Sequence, residues 1–115
     1  MVNLLNETIE ILNGHGKTEN DVIAVLGTIY IDYGNGKEVK TSWENFKKYA
    51  DFTYNEGFGG NEISIDLKIV GKDFWLERGE YDGSEWWEFK TMPSIEDKEY
   101  IDTEKDVKAM VGNYE

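Results

Sequence analysis

The residues with the most chemistry open to them lie in one stretch, Trp75 to Phe89, reading WLERGEYDGSEWWEF. It holds three of the four tryptophans, four glutamates and an Asp-Gly pair. With Asp66 just upstream, carboxylates beside indoles admit three kinds of chemistry. Two carboxyl groups at a set separation can hydrolyse a glycosidic bond, with Trp75 and Trp86 as stacking platforms. Three, Asp66, Glu77 and Glu88, can hold a hard cation. Carboxylates and aromatic faces together can bind the Arg and Lys side chains of another protein.

The remaining reactive residues add little. A small domain with a flat sheet rarely forms a sugar cleft, and no calcium loop of EF-hand spacing is present. His15 is the only histidine; it falls where a helix should end, so it reads as a complement to the helix dipole and not as a base. No Ser-His-Asp set can be built on it. Neither GNGK nor GFGGN matches a phosphate-binding or dinucleotide fingerprint; both read as turns. With no cysteine in the chain, disulfides, thiolate chemistry and most structural zinc sites are excluded. The expectation is a non-enzymatic protein with no cofactor and no metal.

The elements that must position these residues follow from periodicity. Residues 2–12 place Val2, Leu5, Ile9 and Leu12 on one helical stripe, with Leu4, Thr8 and Ile11 beside it and Gly14 as the stop. The β-branched run 22–33 predicts a strand interrupted at Gly27, returning through YGNGK into a short strand, Lys37–Lys40. Thr41-Ser-Trp-Glu44 has the form of a capping box and predicts a helix over about 42–50. FTYNE suits one more short strand, and GFGGN a loop. Ile63, Ile65, Leu67 and Ile69 alternate with polar residues, so a three-strand meander is predicted at 62–70, 73–81 and 84–91, turning at Gly71-Lys72 and Asp82-Gly83. A short helix is predicted from Thr103. The fold class is α+β: one domain spanning 1–115, an antiparallel sheet, and N-terminal, central and short C-terminal helices.

Two-residue turns set the register. Asp66 then opposes Glu77, Glu77 opposes Glu88, Arg78 opposes Trp87 and Gly79 opposes Trp86. Ile65, Leu67, Ile69, Phe74, Leu76, Trp87 and Phe89 gather on one face. The other takes Asp66, Lys68, Trp75, Glu77, Tyr81, Trp86, Glu88 and Lys90, with a carboxylate row across it that Lys68 and Lys90 partly offset. A rival register, with a three-residue turn ending at Gly83, sets Arg78 near Glu88 and dissolves that row. Trp86 has two readings: it covers the bare Gly79 and is itself covered by the terminal helix, or it is part of an aromatic-acidic contact patch.

Charge narrows the partner. The net charge is −12. Residues 51–91 carry four basic and ten acidic groups and residues 92–115 three and seven, against five and seven in residues 1–50. Direct nucleic-acid binding is disfavoured, since phosphate contacts need excess Lys and Arg. A basic protein surface is favoured, although such acidity also serves solubility alone. No apolar run is long enough to span a bilayer, and a cytoplasmic, membrane-free location is expected.

The runs Trp75-Leu-Glu-Arg78 and Glu80-Tyr-Asp-Gly-Ser-Glu-Trp-Trp-Glu88, with YNEGFGGNEISIDLKIV upstream, resemble a group of small uncharacterised proteins of phages and prophages of Gram-positive bacteria. The resemblance covers roughly residues 50–93. It implies a phage context and no residue roles. Small acidic phage proteins of this character include anti-CRISPR proteins and other DNA mimics. The expected function is therefore inhibition of a host nuclease or defence effector through Asp66, Trp75, Glu77, Tyr81, Asp82, Glu85, Trp86 and Glu88. The alternatives are a binder of a signalling nucleotide, stacked on Trp75 and Trp86, or a self-associating structural protein, which makes a homo-oligomer a further expectation.

Overall fold

The computed structural model describes residues 1–57, 59–60 and 62–113. In chain order the elements are β1 (Val2–Asn3), α1 (Leu4–Gly14), a 3-10 turn (Glu19–Asp21), β2 (Val22–Asp32), β3 (Asn35–Thr41), α2 (Trp43–Tyr49), β4 (Thr53–Tyr54), β5 (Lys68–Gly71), β6 (Phe74–Tyr81), β7 (Ser84–Thr91) and α3 (Glu104–Met110). The main sheet is antiparallel with strand order β3-β2-β5-β6-β7, and β1 pairs with β4 beside it. The α+β expectation holds.

The helices are set by local chemistry. Asn3 caps α1 by accepting from the Asn6 amide at 3.0 Å. Leu4, Thr8 and Leu12, four residues apart, form its buried ridge; Val2, expected on the helix, instead pairs with Tyr54 in a strand. The cap of α2 is Ser42, whose hydroxyl accepts from the Asn45 amide at 3.1 Å. Thr103 caps α3 in the same way. In the sheet, a row of residues on the inner face runs Thr41, Val25, Ile69, Leu76, Phe89 across all five strands. Leu4, Leu12, Trp43, Phe46, Ala50 and Trp87 complete a core against that face.

Three expectations need correction. The first meander strand runs from Lys68, not residue 62, because the backbone ahead of it is engaged elsewhere. Glu62 and Ile63 give their amides to the Glu85 carboxylate at 2.7 and 3.1 Å, and a turn bonds Leu67 N to Ser64 O. Ile65 is exposed as a result. The hairpin turns at Lys72-Asp73, since Val70 pairs with Trp75. Gly71 is a buried strand residue on which the Phe74 ring lies, where a Cβ would collide with that ring. Finally, β2 is continuous through Gly27, with its irregularities at Val22/Ala24 and Tyr30/Asp32. Of the loop expected at GFGGN, Phe58 and Asn61 lie outside the described residues.

One part of the molecule projects. Strand β5 supports β2 only as far as Leu26, so beyond it β2 and β3 continue as a two-stranded arm. The arm and the chain after Thr91, which buries no residue in α3, stretch the molecule to 53 × 33 × 29 Å. The radius of gyration is 18.3 Å, against about 13 Å for a closely packed chain of similar length.

Candidate binding surface

The β6–β7 hairpin has the register expected from the sequence, including Glu77 opposite Glu88, Arg78 opposite Trp87 and Gly79 opposite Trp86. Its turn is Asp82-Gly83 with φ of 50° and 85°. Left-handed conformations at both positions define the two-residue turn that matches strand twist, and exclude the three-residue alternative. The adjacent tryptophans separate as expected. Trp87 is buried in the core, and its indole N–H donates to the Thr8 hydroxyl at 2.9 Å. Trp86 lies on the outer face, 37% exposed.

The outer face is not the carboxylate row the sequence suggested. The turn at Lys72-Asp73 moves the preceding strand by two residues. Two is the side-chain period, so the faces keep their members while the opposed pairs change. Lys68, not Asp66, stands opposite Glu77, and the observed row is Lys40, Leu26, Lys68, Glu77, Glu88. Asp66 lies off this row and accepts from the Tyr30 hydroxyl at 3.2 Å, which holds the Tyr30 pKa above its usual value. Lys90 reaches Glu88 at 3.0 Å and Glu77 at 4.0 Å. The Glu88 hydrogen bond chiefly holds the Lys90 ammonium charged to higher pH. The Trp75 indole N–H donates to Glu77 at 3.1 Å. Trp86 and the Glu88 side chain occupy the space a Cβ on Gly79 would need, so Trp86 covers the glycine. The face thus alternates indole, carboxylate and ammonium groups. Tyr81, 77% exposed, and the exposed Asp82 lie at its end.

Glu85 does not belong to this face. It sits on the inner side, 4% exposed, as part of a polar network that sequence reasoning missed. Both its oxygens accept backbone amides, and Oε1 also takes Arg78 Nη2 at 3.2 Å. The Arg78 guanidinium further reaches Glu7 at 3.3 Å and the Tyr54 hydroxyl at 3.0 Å, and lies over the Trp87 ring at 4.7 Å. Tyr54 in turn donates to Glu7 at 2.7 Å. Burial first, opposed by Arg78 and reinforced by Glu7, pushes the Tyr54 phenol up to about 12. A signal for this network was present: Arg78 opposes Trp87 on the core face, and an arginine there requires a carboxylate. Glu85, diagonal to it across the hairpin, was within reach.

His15 is accounted for structurally. Its Nδ1–H donates to Ile11 O at 3.0 Å, and its ring stacks on Phe89 with centroids 4.1 Å apart. Among the described residues, no three His, Asp or Glu side chains converge as a metal site would require, and no helix is long and apolar enough to cross a membrane. A groove of about 690 Å³ opens on the inner side between α2, β2 and β3, lined by Val25, Val39, Phe46, Tyr49, Phe52 and Leu67 among others. Neither Trp75 nor Trp86 lines it.

Compared with known proteins, the chain matches no family model, no curated protein and no solved structure.

Proposed function

We propose that this protein is a non-enzymatic binding protein that occupies a basic, nucleic-acid-handling surface of another protein, in the manner of anti-CRISPR-like phage inhibitors. The observation that carries the reading is the outer face of β6 and β7. There Trp75, Glu77, Trp86 and Glu88 share one sheet surface, Trp86 exposed and the other three half-buried, and the exposed Tyr81 and Asp82 extend it at the turn. Arginine and lysine side chains of a partner would meet aromatic faces and carboxylates together, the pairing that makes contact residues strong. Asp66 lies at the margin of this surface. Glu85 has no part in contact and holds the hairpin from behind.

The charge of the whole chain supports the same partner. At −12 the protein attracts a basic surface and repels nucleic acid. Exposed Glu96, Asp97, Glu99 and Asp102 in the tail add to the attraction. The phage resemblance supplies the biological setting. Capture of partners from a Gram-positive host lysate tests the proposal, followed by assay of the captured protein's nucleic-acid binding. The expected result is a basic protein displaced from DNA or RNA by this chain. A captured protein whose nucleic-acid binding is unaffected would overturn the reading.

A further inference from the structure

We propose that the β3 edge of the arm is a self-association surface, joining two copies of this chain edge to edge into one continuous ten-stranded sheet. The inference is independent of the partner surface on β6 and β7. It begins with what the arm lacks. Among the described residues no third strand pairs with it beyond Leu26, and a lone two-stranded ribbon is marginal in water. Yet it carries Ile29 at 57% exposure and Ile31 at 71%, with Tyr30 and Tyr33 also exposed. Among the described residues, positions 35–40 make no backbone hydrogen bond except to β2. The other edge, β7, is occupied near its turn, where Glu85 N donates to Glu56 O at 2.8 Å and Gly59 N to Gly83 O at 3.2 Å.

Charge selects a second copy as the occupant. Within residues 22–41, Asp32 and Glu38 are balanced by Lys37 and Lys40, so the whole net charge of −12 lies elsewhere in the chain. The arm is where two such chains can approach with least repulsion. Its edge is also self-complementary. An isologous antiparallel pair centred on Val39 sets Glu38 of each copy opposite Lys40 of the other, with Val39 against Val39 and Lys37 against Thr41. The register one residue away on one side opposes Glu38 to Val39 and Lys37 to Lys40; on the other side it opposes Lys40 to Val39 and Glu38 to Thr41, so neither pairs Glu38 with Lys40.

The favoured register also extends the inner-face row on which Ile29 lies. A two-fold axis normal to the sheet keeps inner faces on the same side. Ile29 pairs with Lys37, and Val25 with Thr41. With Lys37 opposite Thr41 of the second copy, Ile29 falls in one inner-face row with Lys37 and with Thr41 and Val25 of the second copy, the last two at the mouth of that copy's groove under α2.

Charge exchange on the full chain tests the register by light scattering over a range of concentrations. The unaltered chain is expected to show a concentration-dependent dimer. Glu38→Lys opposes like charges at both pairs and should weaken the dimer roughly tenfold or more, even though it lowers the net negative charge. Lys40→Glu should do the same. An equimolar mixture of these two variants makes both pairs complementary again and should recover the dimer. Unchanged circular dichroism would confirm that both variants fold. A monomeric unaltered chain, single variants that dimerise as well as it does, or a mixture that stays monomeric would each overturn the proposal.

Discussion

Arg78 and Glu85, seven residues apart on neighbouring strands, form an ion pair at 3.2 Å in which both side chains are almost wholly buried. The pair ties the hairpin to the rest of the molecule: Glu85 holds the backbone of Glu62 and Ile63, and Arg78 holds Glu7 of α1 and Tyr54 of β4. This network anchors, from the inner side, the strands that carry the outer surface.

Removing one partner of a buried pair strands the other charge. Arg78→Leu leaves Glu7 and Glu85 uncompensated and should cost about 3–5 kcal/mol in chemical denaturation. Glu85→Gln keeps the shape but turns an NH₂ toward one of two amides that need an acceptor. It should cost about 1–3 kcal/mol.

Tyr54 makes stability fall at alkaline pH. Its folded pKa is raised from 10.0 to about 12, so the folded state keeps its proton after the unfolded chain has released one. The contribution is full below pH 10 and is lost as pH rises from about 10 to about 12, amounting to about 2–3 kcal/mol. Urea midpoints at pH 9 and pH 12 should show this loss, and Tyr54→Phe should diminish it.

Trp86 and Gly79 should respond as a pair. Gly79→Ala introduces a Cβ where Trp86 and Glu88 now sit. The displaced groups are partly exposed side chains, so stability should change by no more than about 1 kcal/mol. Tryptophan emission should shift to the red as the indole moves into water. Trp86→Ala should lower partner binding while leaving the fold intact.

The sequence made legible what local rules decide. The α2 and α3 helices, the type of turn at Asp82-Gly83 and the separation of Trp86 from Trp87 follow from side-chain period and turn chemistry, although the cap of α2 is Ser42 and not the Thr41 of the expected capping box. The first strand differs from expectation because Gly71-Lys72 satisfies the turn rule with its leading glycine, whereas the observed Lys72-Asp73 loop has none. What decides against it is tertiary: the Phe74 ring needs the space above Gly71, and Glu85 takes the amides of Glu62 and Ile63. The network around Arg78 joins residues up to 71 positions apart, beyond the reach of any local pattern. Residues 85 and 87 share a face, so the alternation that puts Trp87 inside puts Glu85 there too and not on the contact surface.

The central claim is that the outer face of β6 and β7 engages a basic partner. Glu77 and Glu88 can be reversed to Lys together, since both are partly exposed and neither touches the buried network. The most direct measurement is the amount of partner retained from host lysate by this variant against the unaltered chain, at matched fold and ionic strength. Retention should fall roughly tenfold or more, with a steeper loss in low salt. Equal retention of the same partner by both chains would contradict the account.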